Sequence, residues 1–395
     1  MSSFDPELED LVRELNQAAP GAAVPAAGRA EPRRLRPLVG TSEQESPALD
    51  ALLSAAVRRG ASDLLLIDGS APVFRRRGEL ERGDGLLRDD EIRAMLAPLL
   101  GAEQRRELDR DLTLDFGFVR PGIGRFRANL HFQRDTLGAA IRALPAEIPT
   151  LESLGLPPIL ERLTELRKGL ILVTGAAGSG KTTTLAAMIG RINARRACHV
   201  IAVEDPIEYR HENRRAVVEQ IEVGRDARGF ASALRGVLRQ SPDVILIGEM
   251  RDRETLAAAV TAAETGHLVL ASLHTADAAR AVGRVIDGFP ADQQNQIRQQ
   301  LALGLAAVVA QQLVPTRDGG RRPAVEILLV NSAVSNLIRR GEDHLLRSQL
   351  SLGRAEGMIT MEESLAELAR RGTIDEATAL AHAQRSDDPR RYSSG

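Results

Sequence analysis

Tryptophan is absent from this 395-residue chain, tyrosine occurs twice, and aromatic residues make up 3% of it. So few aromatic faces leave little on which unpaired bases could stack, and a formal net charge of -2 provides no field to gather nucleic acid or an anionic membrane. No nucleic-acid partner is expected. The one cysteine, Cys198, excludes an intramolecular disulfide and any multi-cysteine zinc site, and it fits a reducing compartment. No run of eighteen apolar residues occurs, and the acidic, polar N-terminus lacks the apolar core of a signal peptide. The expectation is a cytoplasmic protein that meets a membrane only through a partner. Lysine is nearly absent too: of 52 basic residues only Lys168 and Lys181 are lysines. Where arginine has displaced lysine almost everywhere, a retained lysine marks a place that needs a compact ammonium and would not admit a planar guanidinium.

What is present divides the chain. Residues 1–47 read as a flexible extension: Leu8, Leu11, Val12 and Leu15 space a short amphipathic helix over residues 5–17, followed by a stretch rich in Ala, Pro, Gly and Arg. Residues 48–147 mix helical and alternating strand patterns and predict a small α+β module, in which Gly124 to Gln133 alternates as a strand. Residues 148–158, with three prolines, read as a linker. From 159 to 385 short apolar runs (Gly169–Thr174, Val200–Val203, Asp243–Ile247, Leu268–Leu273) are separated by helical stretches, and helices continue beyond Ser332. Runs without alternation indicate strands buried on both faces, as in a parallel sheet covered by helices. Residues 386–395 read as a disordered tail.

Four segments carry chemistry. Gly175, Ala176, Ala177, Gly178, Ser179, Gly180, Lys181 and Thr182, followed by Thr183, satisfy the phosphate-loop pattern with a strand before and a helix after. Its glycines let backbone N–H groups turn inward on an anion, and the helix start adds its positive dipole end. Lys181 would reach the β- and γ-phosphates of ATP, and Thr182 would ligate Mg²⁺. Glu204, in Val203-Glu-Asp-Pro-Ile-Glu-Tyr209, sits where a parallel strand ends and is the candidate to orient or deprotonate the attacking water. In Ser241-Pro-Asp-Val-Ile-Leu-Ile-Gly-Glu249 an apolar strand ends in an acid. Gly248 occupies the usual aspartate position, so Glu249 is left to serve the metal-bound water. His267 and His274 bracket the fourth strand. His274, at the carboxyl edge, is placed to sense the γ-phosphate or the water, and His267 to brace a neighbour.

In this order the four segments resemble the secretion-motor ATPase superfamily of type IV pili, type II secretion and conjugation, whose Walker A, aspartate, Walker B and histidine boxes they match. The resemblance is strongest to the PilT-type pilus-retraction ATPases and spans about residues 48–385. Gly60-Ala-Ser-Asp-Leu64 and Gly124-Arg-Phe-Arg127 with Gln133-Arg134 resemble the family's N-terminal domain. The resemblance implies an α/β fold: a RecA-like parallel-sheet ATPase core, an N-terminal α+β PAS-like domain and a helical C-terminal tail. It implies a homohexamer with ATP and Mg²⁺ between neighbours, Thr182 and Glu249 at the metal, and Glu204, Glu249 and His274 in catalysis. Arg125, Arg127 and Arg134 are implied to reach the phosphates from the N-terminal domain or a neighbour. The implied task is ATP hydrolysis powering a type IV pilus or related secretion machine, foremost retraction in twitching motility. The implied partners are an inner-membrane platform protein and a second motor ATPase, with peripheral attachment to the inner membrane. Pilus assembly, secretion, and nucleic-acid translocation on a RecA-like ring remain alternatives. Leu65, Ile221 and Ser335 depart from the family pattern, which has histidine, arginine and arginine at those places.

Overall fold

The computed structural model describes residues 46–76 and 78–383. The helix expected at 5–17 and the tail expected at 386–395 lie outside the described residues. Two sheets organise the rest. β1 (Asp63–Leu66), β2 (Val73–Arg76), β3 (Glu79–Arg82), β4 (Thr113–Arg120), β5 (Gly124–Gln133) and β6 (Thr136–Leu144) form an antiparallel sheet in the order β3-β2-β1-β6-β5-β4. Helices α1 (Pro47–Arg59), α2 (Asp89–Leu96) and α3 (Ala102–Asp111) contribute to its core. Strand β4 turns Leu114, Phe116 and Phe118 inward and leaves Thr113 and Asp115 out, the alternation that one buried face imposes. β5 likewise buries Phe126, Ala128 and Leu130 and sends Arg125 and Arg127 to the opposite face.

The second sheet contains β7 (Gly169–Thr174), β8 (His199–Glu204), β9 (Val217–Glu222), β10 (Val244–Ile247), β11 (Leu268–Leu273), β12 (Leu305–Pro315) and β13 (Arg321–Leu329), in the order β13-β12-β7-β11-β10-β8-β9. Every pair is parallel except β12 with β13. The unbroken apolar runs follow from its two covered faces: Val269 and Ala271 enter one core while Leu268 and Leu270 enter the other. The β12–β13 hairpin is a tertiary outcome. Leu305 to Val314 mixes Ala, Val, Leu and Gln and follows directly on the helix Ala291–Gly304. Pairing with the edge of β7 makes it a strand, with an irregularity between Leu305 and Ala307.

Three further helices are α4 (Lys181–Arg195), α5 (Arg253–Glu264) and α6 (Ala291–Gly304). Asp252 caps α5, accepting from Thr255 N at 2.8 Å, so its carboxylate is spent on a helix start. α7 (Ser332–Arg340) packs on α6, where Ser335 Oγ donates to the Ala302 carbonyl.

Candidate functional site

Parallel register brings the motif ends together. Ile247 lies opposite Val203 and Ala271, and Leu273 lies opposite Thr174. The next residues, Glu204, Gly248-Glu249, His274 and Gly175, therefore share the carboxyl edge of one sheet, where α/β folds bind their ligands.

The phosphate loop is shaped by glycine where a side chain has no room. A β-carbon on Gly175, at φ 147°, would stand 2.2 Å from the Gln311 carbonyl oxygen, and one on Gly180, at φ 89°, would stand 2.8 Å from Gln311 Nε2. Ala176, Ala177 and Gly178 form the exposed crest of the loop, while Ser179 and Lys181 are buried. Lys181 Nζ donates to the carbonyls of Gly175 at 2.9 Å and Ala176 at 3.0 Å. Burial lowers its pKa, and Glu249 opposes that shift. Ser179 Oγ and Thr275 Oγ1 are buried with no hydrogen-bond partner among the described residues. Thr182 lines a small cavity beside Glu204, and Thr183 Oγ1 instead meets the Tyr209 hydroxyl at 3.1 Å.

Gln311 is a residue that sequence reasoning missed. Its Oε1 accepts from Thr184 Oγ1 at 2.8 Å and its Nε2 donates to the Ser179 carbonyl at 2.7 Å, pinning the loop and α4 to β12. No motif marks it, because it lies over 120 residues from the loop it holds.

The two acids sit in unlike surroundings. Glu204 is buried, 5% exposed, and its pKa is pushed up to about 7, first by burial. A hydrogen bond from Gln220 Nε2 at 3.1 Å opposes this, Glu208 and Glu222 add to it, and Arg125 opposes it. Glu249 has its pKa lowered, foremost by Arg251, whose Nη2 lies 2.7 Å from Oε2; His274 Nε2 lies 3.0 Å from Oε1. Arg251 is a second residue the sequence reading did not single out, although it stands two places after Glu249. Gly248 has a local reason as well. A β-carbon there would stand 3.2 Å from Glu204 Cα and 3.3 Å from the Val203 carbonyl oxygen, so an aspartate would crowd the neighbouring strand.

The three arginines do not gather. Arg125 reaches from β5 to the turn after Glu204, donating to the Ile207 carbonyl at 2.8 Å and the Glu208 carbonyl at 3.1 Å. Arg127 lies 3.5 Å from Asp115 on its own sheet, and Arg134 stands exposed in the β5–β6 turn at φ 47°. His267 is at the opposite end of β11 from His274, with Nδ1 3.0 Å from the Ala262 carbonyl oxygen.

No helix among the described residues is long and apolar enough to cross a membrane. Residues 141–379 match the family described as "Type II/IV secretion system protein". The type IV pilus ATPase PilU of Pseudomonas aeruginosa is 43% identical over 86% of this chain and 90% of its own length. The type IV pilus retractation ATPase PilT of the same organism is 40% identical over 84% of this chain and 97% of its own. Among solved structures, the pilus retraction motor PilT with bound ADP superposes with a TM-score of 0.80 at 40% identity, over 86% of this chain and 97% of that one. The Legionella pneumophila ATPase DotB superposes at 0.76 with 27% identity, over 86% and 97%. With that agreement over most of the chain and a phosphate loop at the carboxyl edge of the parallel sheet, the chain belongs to the type II/IV secretion system protein family, and it is a nucleotide-binding ATPase.

Proposed function

We propose that this ATPase is a ring-forming motor of a type IV pilus and that its work is retraction. The observation that carries the reading is the carboxyl edge itself, where a phosphate loop, a deeply buried acid and an ionised acid meet while Arg125 of the first sheet holds the turn beside them. Likeness to PilU over most of each chain supports the pilus, and likeness to the retraction motor PilT supports the direction of work.

In this reading Lys181 leaves the loop carbonyls for the phosphates of ATP, and the loop amides and the start of α4 hold the anion. Thr182 and Glu249 are the residues that would hold Mg²⁺, which offsets phosphate charge when bound. The donor set fits: a hydroxyl at the helix start and a carboxylate kept ionised by Arg251 and His274. Glu204, with its proton affinity near neutrality, is the base that acts on water. His274 orients Glu249 through their contact. Arg127, 3.5 Å from Asp115, and Arg134, exposed in the β5–β6 turn, are the residues expected to serve a neighbour's phosphates in the homohexamer that the family resemblance implies. A platform protein of the inner membrane would receive the work and hold the motor there.

The test joins turnover of the pure protein, its mass in solution, and surface filaments after gene deletion. Accumulated filaments support retraction; lost filaments mean assembly and overturn it. A strict monomer with full activity contradicts the ring. A second reading, an accessory motor dependent on a partner ATPase, is favoured by Ser335, whose hydroxyl is committed to the Ala302 carbonyl and carries no charge to a moving surface.

A further inference from the structure

The turn after Glu204 is held from several sides. Arg125 of the first sheet grips the carbonyls of Ile207 and Glu208, and Glu222 accepts from Ile207 N at 3.1 Å. Gln220, on β9, joins this turn to the acid. Its Oε1 accepts from His211 N at 2.9 Å, while its Nε2 donates to the Tyr209 carbonyl at 2.8 Å and to Glu204 Oε1 at 3.1 Å. A backbone N–H can only donate, so His211 dictates where the amide oxygen points and thereby turns the NH₂ group onto Glu204. Main chain, not the acid, sets that orientation. Glu204 also borders a cavity of about 10 Å³, close to the space of one water, shared with Thr182, Tyr209 and His211.

We propose that Gln220 is a positioning residue of the ATPase site, tying the Glu204 carboxylate to the turn that Arg125 grips, so that displacement of the first sheet is felt at the acid. This rests on the reading of Glu204 as the base. Nothing in the motifs assigns Gln220 a part, and its own strand end lies on the outermost strand of the sheet. The charged groups that face Glu204 are Glu208 in the turn, Glu222 on β9 and Arg125 on β5. His211 shares the cavity, with burial pushing its pKa down to about 4. From α4 and the residue after β10 the cavity meets Thr182 and Gly248. A donor aimed at the carboxylate favours its ionised form, so removing that donor raises the pH at which Glu204 becomes a base.

The experiment measures kcat/KM for ATP against pH on the full chain, with ADP affinity alongside, for wild type, Gln220→Met and Gln220→Glu. Methionine keeps the length and loses the donor; glutamate sets a second carboxylate against the first. The acidic limb is expected to move up by about one pH unit with methionine and further with glutamate, ADP affinity staying within about twofold. A fall in rate at every pH with an unmoved limb means a merely structural role and overturns the proposal, while wild-type turnover leaves the ATPase reading standing. If wild type shows no acidic limb, Glu204 is not the base and both fall. For the link to the first sheet, Arg125→Met and Gln220→Met are combined. Coupled effects on kcat are expected, and rate losses that simply multiply overturn the relay.

Discussion

Replacing Glu204 by glutamine should make the protein more stable at alkaline pH while stopping hydrolysis. A carboxyl that titrates near 4.5 when unfolded and at about 7 when folded binds more protons folded than unfolded throughout that window. Stability therefore falls as pH rises from about 4.5 and levels off above about 7. The displacement of about two to three units, at 1.36 kcal/mol per unit, makes wild type lose about 2–3 kcal/mol between pH 5 and pH 8 on this account. Glutamine cannot ionise, and its carbonyl oxygen can still accept from Gln220 Nε2 in place of Glu204 Oε1. Urea unfolding of wild type and Glu204→Gln at pH 5 and pH 8, scored as the difference between proteins, isolates this one group from every other titration. The expected difference grows in favour of the variant by about 2–3 kcal/mol toward pH 8. A difference independent of pH would refute the reasoning, because it would mean that Glu204 is not held protonated by its burial.

Lys181→Ala should abolish nucleotide binding or turnover, measured with labelled ADP, since Lys168 is the one other lysine in the chain and lies before β7. Glu249→Gln should keep ATP binding and lower kcat by about 10²–10⁴-fold, read in single-turnover assays; normal hydrolysis would assign the role to Glu204 alone. Gln311→Met should weaken ADP binding and destabilise by about 1–3 kcal/mol, because it leaves the buried Ser179 carbonyl and Thr184 hydroxyl without their partner. Ser335→Ala should cost about 1 kcal/mol in unfolding experiments and leave the ATPase rate unchanged, since it removes one contact between α7 and α6, neither of which carries a site residue.

The motifs themselves were legible in the chain because their chemistry is local. A loop that must approach phosphate needs glycine where a β-carbon has no room, and a strand buried on both faces must read as an unbroken apolar run. Gly175 to Thr182 and the four strands β7, β8, β10 and β11 were recognisable on those grounds, as was the alternation of β5. The hairpin β12–β13 was not, since β12 follows a helix without a break and its mixed Ala, Val, Leu and Gln composition becomes a strand on the open sheet edge beside β7. Gln311 and Gln220 were hidden for the same reason: amides become braces only when the fold sets a loop carbonyl or a carboxylate before them. The family resemblance placed both acids in catalysis. The tertiary structure made them opposites, burying Glu204 where ionisation is costly and setting Arg251 and His274 against Glu249, because burial and charge contacts are properties of the assembled sheet edge rather than of the residues that meet there.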